Sequence, residues 1–191
     1  MKFKKLLFLV SFCATLLVLA MFKQHAGGPP SLALDASSGE TVVGSAFTVG
    51  DVTKLEIYRG EGKDETLTLA KDASGRWTFT SRFGTRARKE GVESLLNHLA
   101  GLRGELRSES KDLLKDYSIT DDKAFHFKVY DSAGKVLAHR VVSALRPRGT
   151  QNFVRETGSD KVVITLTDVL ADIGIFSDQD TLSDKTFEMK P

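Results

Sequence analysis

Histidine is the side chain best suited to hold a metal ion or move a proton near neutral pH, and it occurs at His25, His98, His126 and His139. His126 and His139 sit in consecutive alternating runs, "AFHFKVYD" and "VLAHRVVS", joined by the turn sequence "SAGK". A hairpin turned by residues 131–135 pairs Tyr130 with Val136 and Phe127 with His139. That register sets His126 opposite Arg140 and sends the two imidazoles to opposite faces of the sheet, where they cannot share an ion. His139 beside Phe127 reads as a partly buried, hydrogen-bonded histidine, and His98 flanks a leucine stripe. The one cysteine, Cys13, lies in an apolar N-terminal run. No metal site is expected from this donor set.

Nucleophilic catalysis needs a serine, threonine or cysteine beside a base that a third group orients. The chain has no Gly-x-Ser-x-Gly elbow, and its paired carboxylates (Asp121–Asp122, Glu109 with Asp112, Asp178–Asp180) fall in polar connectors. P-loop and dinucleotide-binding glycine patterns are also missing. The expectation is a non-enzymatic chain with no catalytic residues and no cofactor. The arginines remain. Arg82, Arg86, Arg88 and Lys89 crowd the approach to a helix, and Arg146 and Arg148 occupy the comparable turn of the second half. Arginine turns of this kind can hold an anion, contact acidic lipid headgroups or meet a partner. They can equally form a solvated corner balanced by Glu90 and Glu93, which already suit the helix dipole. The balance favours the corner, with Arg82, Arg86, Arg88, Arg146 and Arg148 as the candidate contacts if there is a site.

These side chains are positioned by a regular programme of elements. "VTKLEIYRG", "ETLTLAKD" and "GRWTFTS" alternate with period two and read as an antiparallel meander. Val92, Leu95, Leu96, Leu99, Leu102 and Leu106 fall at helical spacing, with Gly101 and Gly104 weakening the far end, where the helix is expected to fray or stop. A polar bridge follows, with one amphipathic turn around Leu113, Leu114 and Tyr117. Strands then resume at "AFHFKVYD", "VLAHRVVS", "QNFVRETG" and "KVVITLT". "DVLADIG" reads as a short helix stopped by Gly174, and Phe176, Leu182 and Phe187 are docking points in the tail. A short strand near Thr41–Phe47 is also expected. The fold class is α+β: antiparallel sheet with helices on one face, in two diverged strand–strand–strand–helix units.

Lys2, Lys4 and Lys5 precede an uncharged apolar run, Leu6–Phe22. A spanning helix wants about 20 such residues, with a lower limit near 17, and a cleavable signal has about 7–15. The run favours a retained transmembrane anchor over residues 1–22, with signal cleavage as the alternative. The lysines hold the N-terminus in the cytoplasm and send the rest to the periplasm. Residues 23–45 form a tether and 46–191 the exported domain. Beyond the anchor there are 24 basic against 25 acidic residues, so the domain lacks the concentrated basic excess of a nucleic-acid binder. With no exported cysteine, its stability must come from a core.

The ordered series "VTKLEIYRG", "GRWTFTS", "VESLLNHLAGLRG", "KDLLKDYSI", "FHFKVYDSAGKVLAHRVVS", "NFVRETG", "VLADI" and "TLSDKTF" spans Ala46 to Phe187. In this order it resembles bacterial proteins grouped as domain-of-unknown-function family 4340 (DUF4340). The resemblance implies a membrane-tethered extracytoplasmic domain, in some members associated with ABC-type transport systems, including gliding-motility ones. It supplies no catalytic residues. The function expected from all of this is a periplasmic interaction module anchored in the inner membrane and contacting a membrane or envelope protein such as a transporter. The alternative is a periplasmic protein that binds an anionic envelope ligand through the arginine-rich turns.

Overall fold

The alternating runs pair into one antiparallel sheet. A computed structural model describes residues 40–188 except 62–64, 81–83 and 148. The expected anchor, most of the tether, Arg82 and Arg148 lie outside the described residues. Among the described residues no helix is long and apolar enough to cross a membrane.

The strands are β1 (Thr41–Val42), β2 (Lys54–Arg59), β3 (Leu67–Lys71), β4 (Trp77–Phe79), β5 (Thr85–Arg86), β6 (Arg103–Ser108), β7 (Phe125–Tyr130), β8 (Val136–Val142), β9 (Phe153–Glu156) and β10 (Val162–Thr165). Their order across the sheet is β1-β6-β10-β9-β8-β7-β2-β3-β4-β5. The helix α1, Lys89–Ala100, links β5 to β6. The meander β2–β3–β4 forms as the alternation dictates, and β2 joins it to the second half along six residue pairs with β7.

The first face of the sheet carries the main core. Leu55, Ile57, Leu69, Phe79, Phe125, Phe127 and Val129 are fully buried there with Val92, Leu95, Leu96 and Leu99 of α1. Ile173, Ile175 and Phe187 of the C-terminal segment close the same cluster. On the second face, Leu114, Ile119 and Ala124 from the polar bridge pack on Val141, Phe153, Val162 and Ile164. Strand β10 is therefore buried on both sides, which is why its sequence runs continuously rather than alternating.

Two expectations need correction. The helix ends at Ala100, where Gly101 was expected to weaken it, but Leu102 and Leu106 do not continue its apolar stripe, because the chain turns at Gly101 and enters β6. Leu102 is buried beyond the helix, and Leu106 stands exposed on the new strand. The "DVLADIG" segment makes only a 3-10 turn, Ala171–Ile173, with Gly174 in the left-handed region at φ 73° as a stop signal requires. The described residues thus form a mostly antiparallel sheet with one α-helix.

Candidate functional site

The histidine register is also corrected, and the change alters the chemistry. Strand β8 carries one extra residue opposite β7: Tyr130 pairs with Val136 as expected, but Val129 pairs with Ala138, leaving Leu137 as a bulge. Beyond that point every partner moves by one. Lys128 faces His139, Phe127 faces Arg140 and His126 faces Val141. A one-residue slip moves a side chain to the opposite face. His126 and His139 therefore share the second face, with His126 Nδ1 3.1 Å from His139 Nε2.

This pair lies beside the small core under the polar bridge. His126 Nε2 is 2.9 Å from the Asp121 carbonyl oxygen, so Nε2 carries the proton and Nδ1 presents a lone pair to His139. Tyr58 stacks on His126 with centroids 4.7 Å apart and planes 3° from parallel. Its hydroxyl lies 3.2 Å from His139 Nε2. Burial lowers the pKa of both imidazoles, and that of His139 falls to about 4 through burial and then its neighbour His126. Tyr58 is pushed the other way, by burial and then by Glu56 and Asp121, and stays a neutral phenol. Among the described residues no group of three or more His, Cys, Asp and Glu side chains is placed to hold a metal ion.

Neutral buried imidazoles make stability depend on pH. Above the ordinary histidine value of 6.5 both folded and unfolded chains leave the pair uncharged, and stability is fully present. As pH falls from 6.5 towards 4 the unfolded chain takes up protons that the folded chain refuses, so stability declines. The expected loss across that window is on the order of 1–3 kcal/mol. Urea midpoints of wild type and His139→Gln between pH 7.5 and 4.5 check it, and the variant should lose most of the slope.

The second feature is a cleft of about 450 Å³ at the end of β2. Arg59 forms one wall, Ser118, Asp122 and Lys123 of the bridge a second, and Ala144, Leu145 and Arg146 a third, with Asp178 across the mouth. Arg59 donates to the Lys123 carbonyl at 3.2 Å and the Asp178 carbonyl at 2.6 Å, pairs with the Asp178 carboxylate, and lies over the Phe125 ring. Arg146 forks onto Asp168 at 2.9 and 3.2 Å and donates to the Ile175 carbonyl. Its Nη1 is buried without a hydrogen-bond partner among the described residues. Ser118 holds φ at 49°, a left-handed conformation that costs a non-glycine residue about 1–2 kcal/mol. Leu145, Leu166 and Phe176 are exposed on the segments that carry Arg146 and its partners Asp168 and Ile175.

Of the sequence candidates, Arg146 alone among the described ones lines this cleft. Arg86 is exposed on β5 opposite Thr78. Arg88 precedes α1 and donates to the Thr186 carbonyl, while its own amide donates to the Phe187 carbonyl. Those two arginines lie where the C-terminal segment crosses the start of the helix. Arg59 and Lys123 were not candidates, because one ends a strand and the other sits in a mixed-charge turn. Only the long-range pairing of β2 with β7 brings them to Arg146.

The model of the family described as Domain of unknown function (DUF4340) matches residues 77–187. Its match begins at β4, yet β2 and β3 belong to the same sheet, so the folded unit extends further towards the N-terminus than the match. No curated protein and no solved structure matches the chain. With the matched span covering more than half of its 191 residues, this chain belongs to the DUF4340 family.

Proposed function

We propose that this protein is a non-enzymatic interaction module held at the bacterial inner membrane by its N-terminal segment. The folded domain stands in the periplasm, and its cleft receives an acidic segment of a membrane or envelope protein. The observation that supports this most is Asp178: its side chain is 76% exposed, yet its carboxylate sits on Arg59 at the mouth of a cleft also lined by Lys123 and Arg146. An exposed ion pair contributes only about 0–1 kcal/mol. A partner carboxylate can therefore replace Asp178 at little cost, while exposed Leu145 and Phe176 supply apolar contact.

The alternative is a periplasmic binding protein for an anionic envelope ligand, released from the membrane by signal cleavage. It draws on the same cleft, whose volume falls in the range of about 300–1,000 Å³ typical of small-molecule sites, and on the orphaned Arg146 Nη1. The finer reading of the fold as a diverged duplication rests on β2–β4 with α1 and β7–β10 with the Ala171–Ile173 turn; β1, β5 and β6 are the strands it does not account for.

Purification of the full-length chain from gently solubilised membranes, with its intact mass, tests the proposal. An uncut N-terminus and a stoichiometric membrane partner are expected, and Arg59→Glu with Lys123→Glu should release that partner. Retention of the partner by the charge-reversed chain sinks the cleft as the docking place. A solitary, cleaved wild type moves the anionic-ligand reading forward.

A further inference from the structure

The cleft already holds one occupant, a turn of the chain itself. Residues 176–181 cross its mouth between two fixed points. Ile175 is fully buried, with its carbonyl held by Arg146, and Leu182 packs against the main core. Among the described residues, the hydrogen bonds of this stretch close on itself except at Arg59. The Asp180 carboxylate accepts from the amides of Phe176 and Ser177 at 2.6 and 2.7 Å, and the Asp180 amide donates to the Ser177 carbonyl at 3.2 Å. Phe176 is 69% exposed, so apolar burial does not hold the stretch down. Arg59 ties it to the body, donating to the Asp178 carboxylate and to the carbonyl of the same residue.

We propose that the turn 176–181 is a displaceable strap that occupies the docking place in the resting protein. The partner displaces it with an acidic residue of its own, whose carboxylate and main-chain carbonyl take the two contacts on Arg59. The strap rests on the cleft being the docking place for an acidic segment, as proposed above. Exchange is favoured because the two sides match. Released from Arg59, the strap keeps its internal hydrogen bonds, and the exposed Asp178 carboxylate returns to water. The guanidinium passes from one carboxylate–carbonyl pair to another and is not left unpaired. An aspartate or glutamate within a peptide offers both acceptors from one residue. An inorganic or lipid phosphate has the charge but lacks the adjoining peptide carbonyl. The strap also sets a threshold, because a tethered competitor is present at high effective concentration and weakly acidic segments lose to it.

A photo-crosslinking residue at Leu145 of the full-length chain in living cells tests the strap, at an expression level where the wild-type yield still rises with the amount of protein. Asp178→Ala should raise the yield of the wild-type product about two- to fivefold, the factor by which an exposed ion pair competes. That side chain is 76% exposed, so its removal does not disturb the core. Asp122→Ala takes a second acid from the cleft wall without touching the strap, and should leave the yield as it is. Arg59→Glu should abolish the product in both the wild-type and the Asp178→Ala chains. Equal yields from Asp178→Ala and wild type, or an equal rise with Asp122→Ala, overturn the strap and leave the docking place standing. Product that survives Arg59→Glu overturns the exchange on Arg59. Absence of product from every chain removes the docking place, and the strap with it.

Discussion

Glu156→Ala is expected to destabilise the protein by about 3–5 kcal/mol, because it strands a buried charge. Arg140 is 1% exposed and stands on the core face of β8, between Ala138 and Val142. Glu156 faces it across β9, and the Ser45 carbonyl accepts a further hydrogen bond from Nη2. Burial lowers the arginine's pKa, but only to about 10, so it remains a cation at neutral pH. Removing the carboxylate leaves that cation in the core with a single carbonyl. Replacing both partners, Arg140→Met with Glu156→Leu, should cost far less, since paired buried charges contribute little against apolar packing. Thermal unfolding followed by Trp77, the single and buried tryptophan, measures both. For a domain of this size a drop on the order of 10 °C is expected for the single variant. A drop within 1–2 °C contradicts the stranded-charge account.

Gly104→Ala should be nearly as damaging, for a steric reason. Gly104 lies in β6 between Thr41 of β1 and Thr165 of β10. A Cβ built there meets the Ile164 carbonyl oxygen at 1.9 Å and its carbon at 2.7 Å. Both atoms are backbone, so relief requires β6 and β10 to separate. Overpacking of this kind costs about 1–3 kcal/mol, and the forced loss of ladder hydrogen bonds adds to it. The variant should melt lower, with amides of β1 and β6 exchanging fastest with solvent. Unchanged protection across β6 and β10 would show that the strands are not held as closely as described.

Gly104 also marks where the sequence misleads. Leu99, Leu102 and Leu106 keep helical spacing through the helix end, so the apolar pattern by itself continues past Ala100. Gly101 and Gly104 signalled weakening there, but a glycine tolerated for close strand approach looks the same in sequence as one that frays a helix. The strands with clean alternation, β2, β3 and β4, were legible because each has one buried face. The His126–His139 pair was not legible. It depends on the Leu137 bulge, and nothing in "KVLAHRVV" distinguishes a bulged strand from a regular one before its partners are known. Arg59 and Lys123 escaped notice for a similar reason: they lie 64 positions apart, and only tertiary pairing brings Arg59 to the Lys123 carbonyl.

The central claim is that the cleft at Arg59, Lys123 and Arg146 docks a membrane or envelope partner. Its most direct test is a photo-crosslinking residue placed at Leu145 or Phe176 of the full-length protein in living cells, with Val136 on the β7–β8 hairpin as control. The account predicts that Leu145 and Phe176 both crosslink to one envelope protein, through an acidic segment of it, and that Val136 does not. Absence of a crosslink at the cleft, or the same products from all three positions, contradicts it.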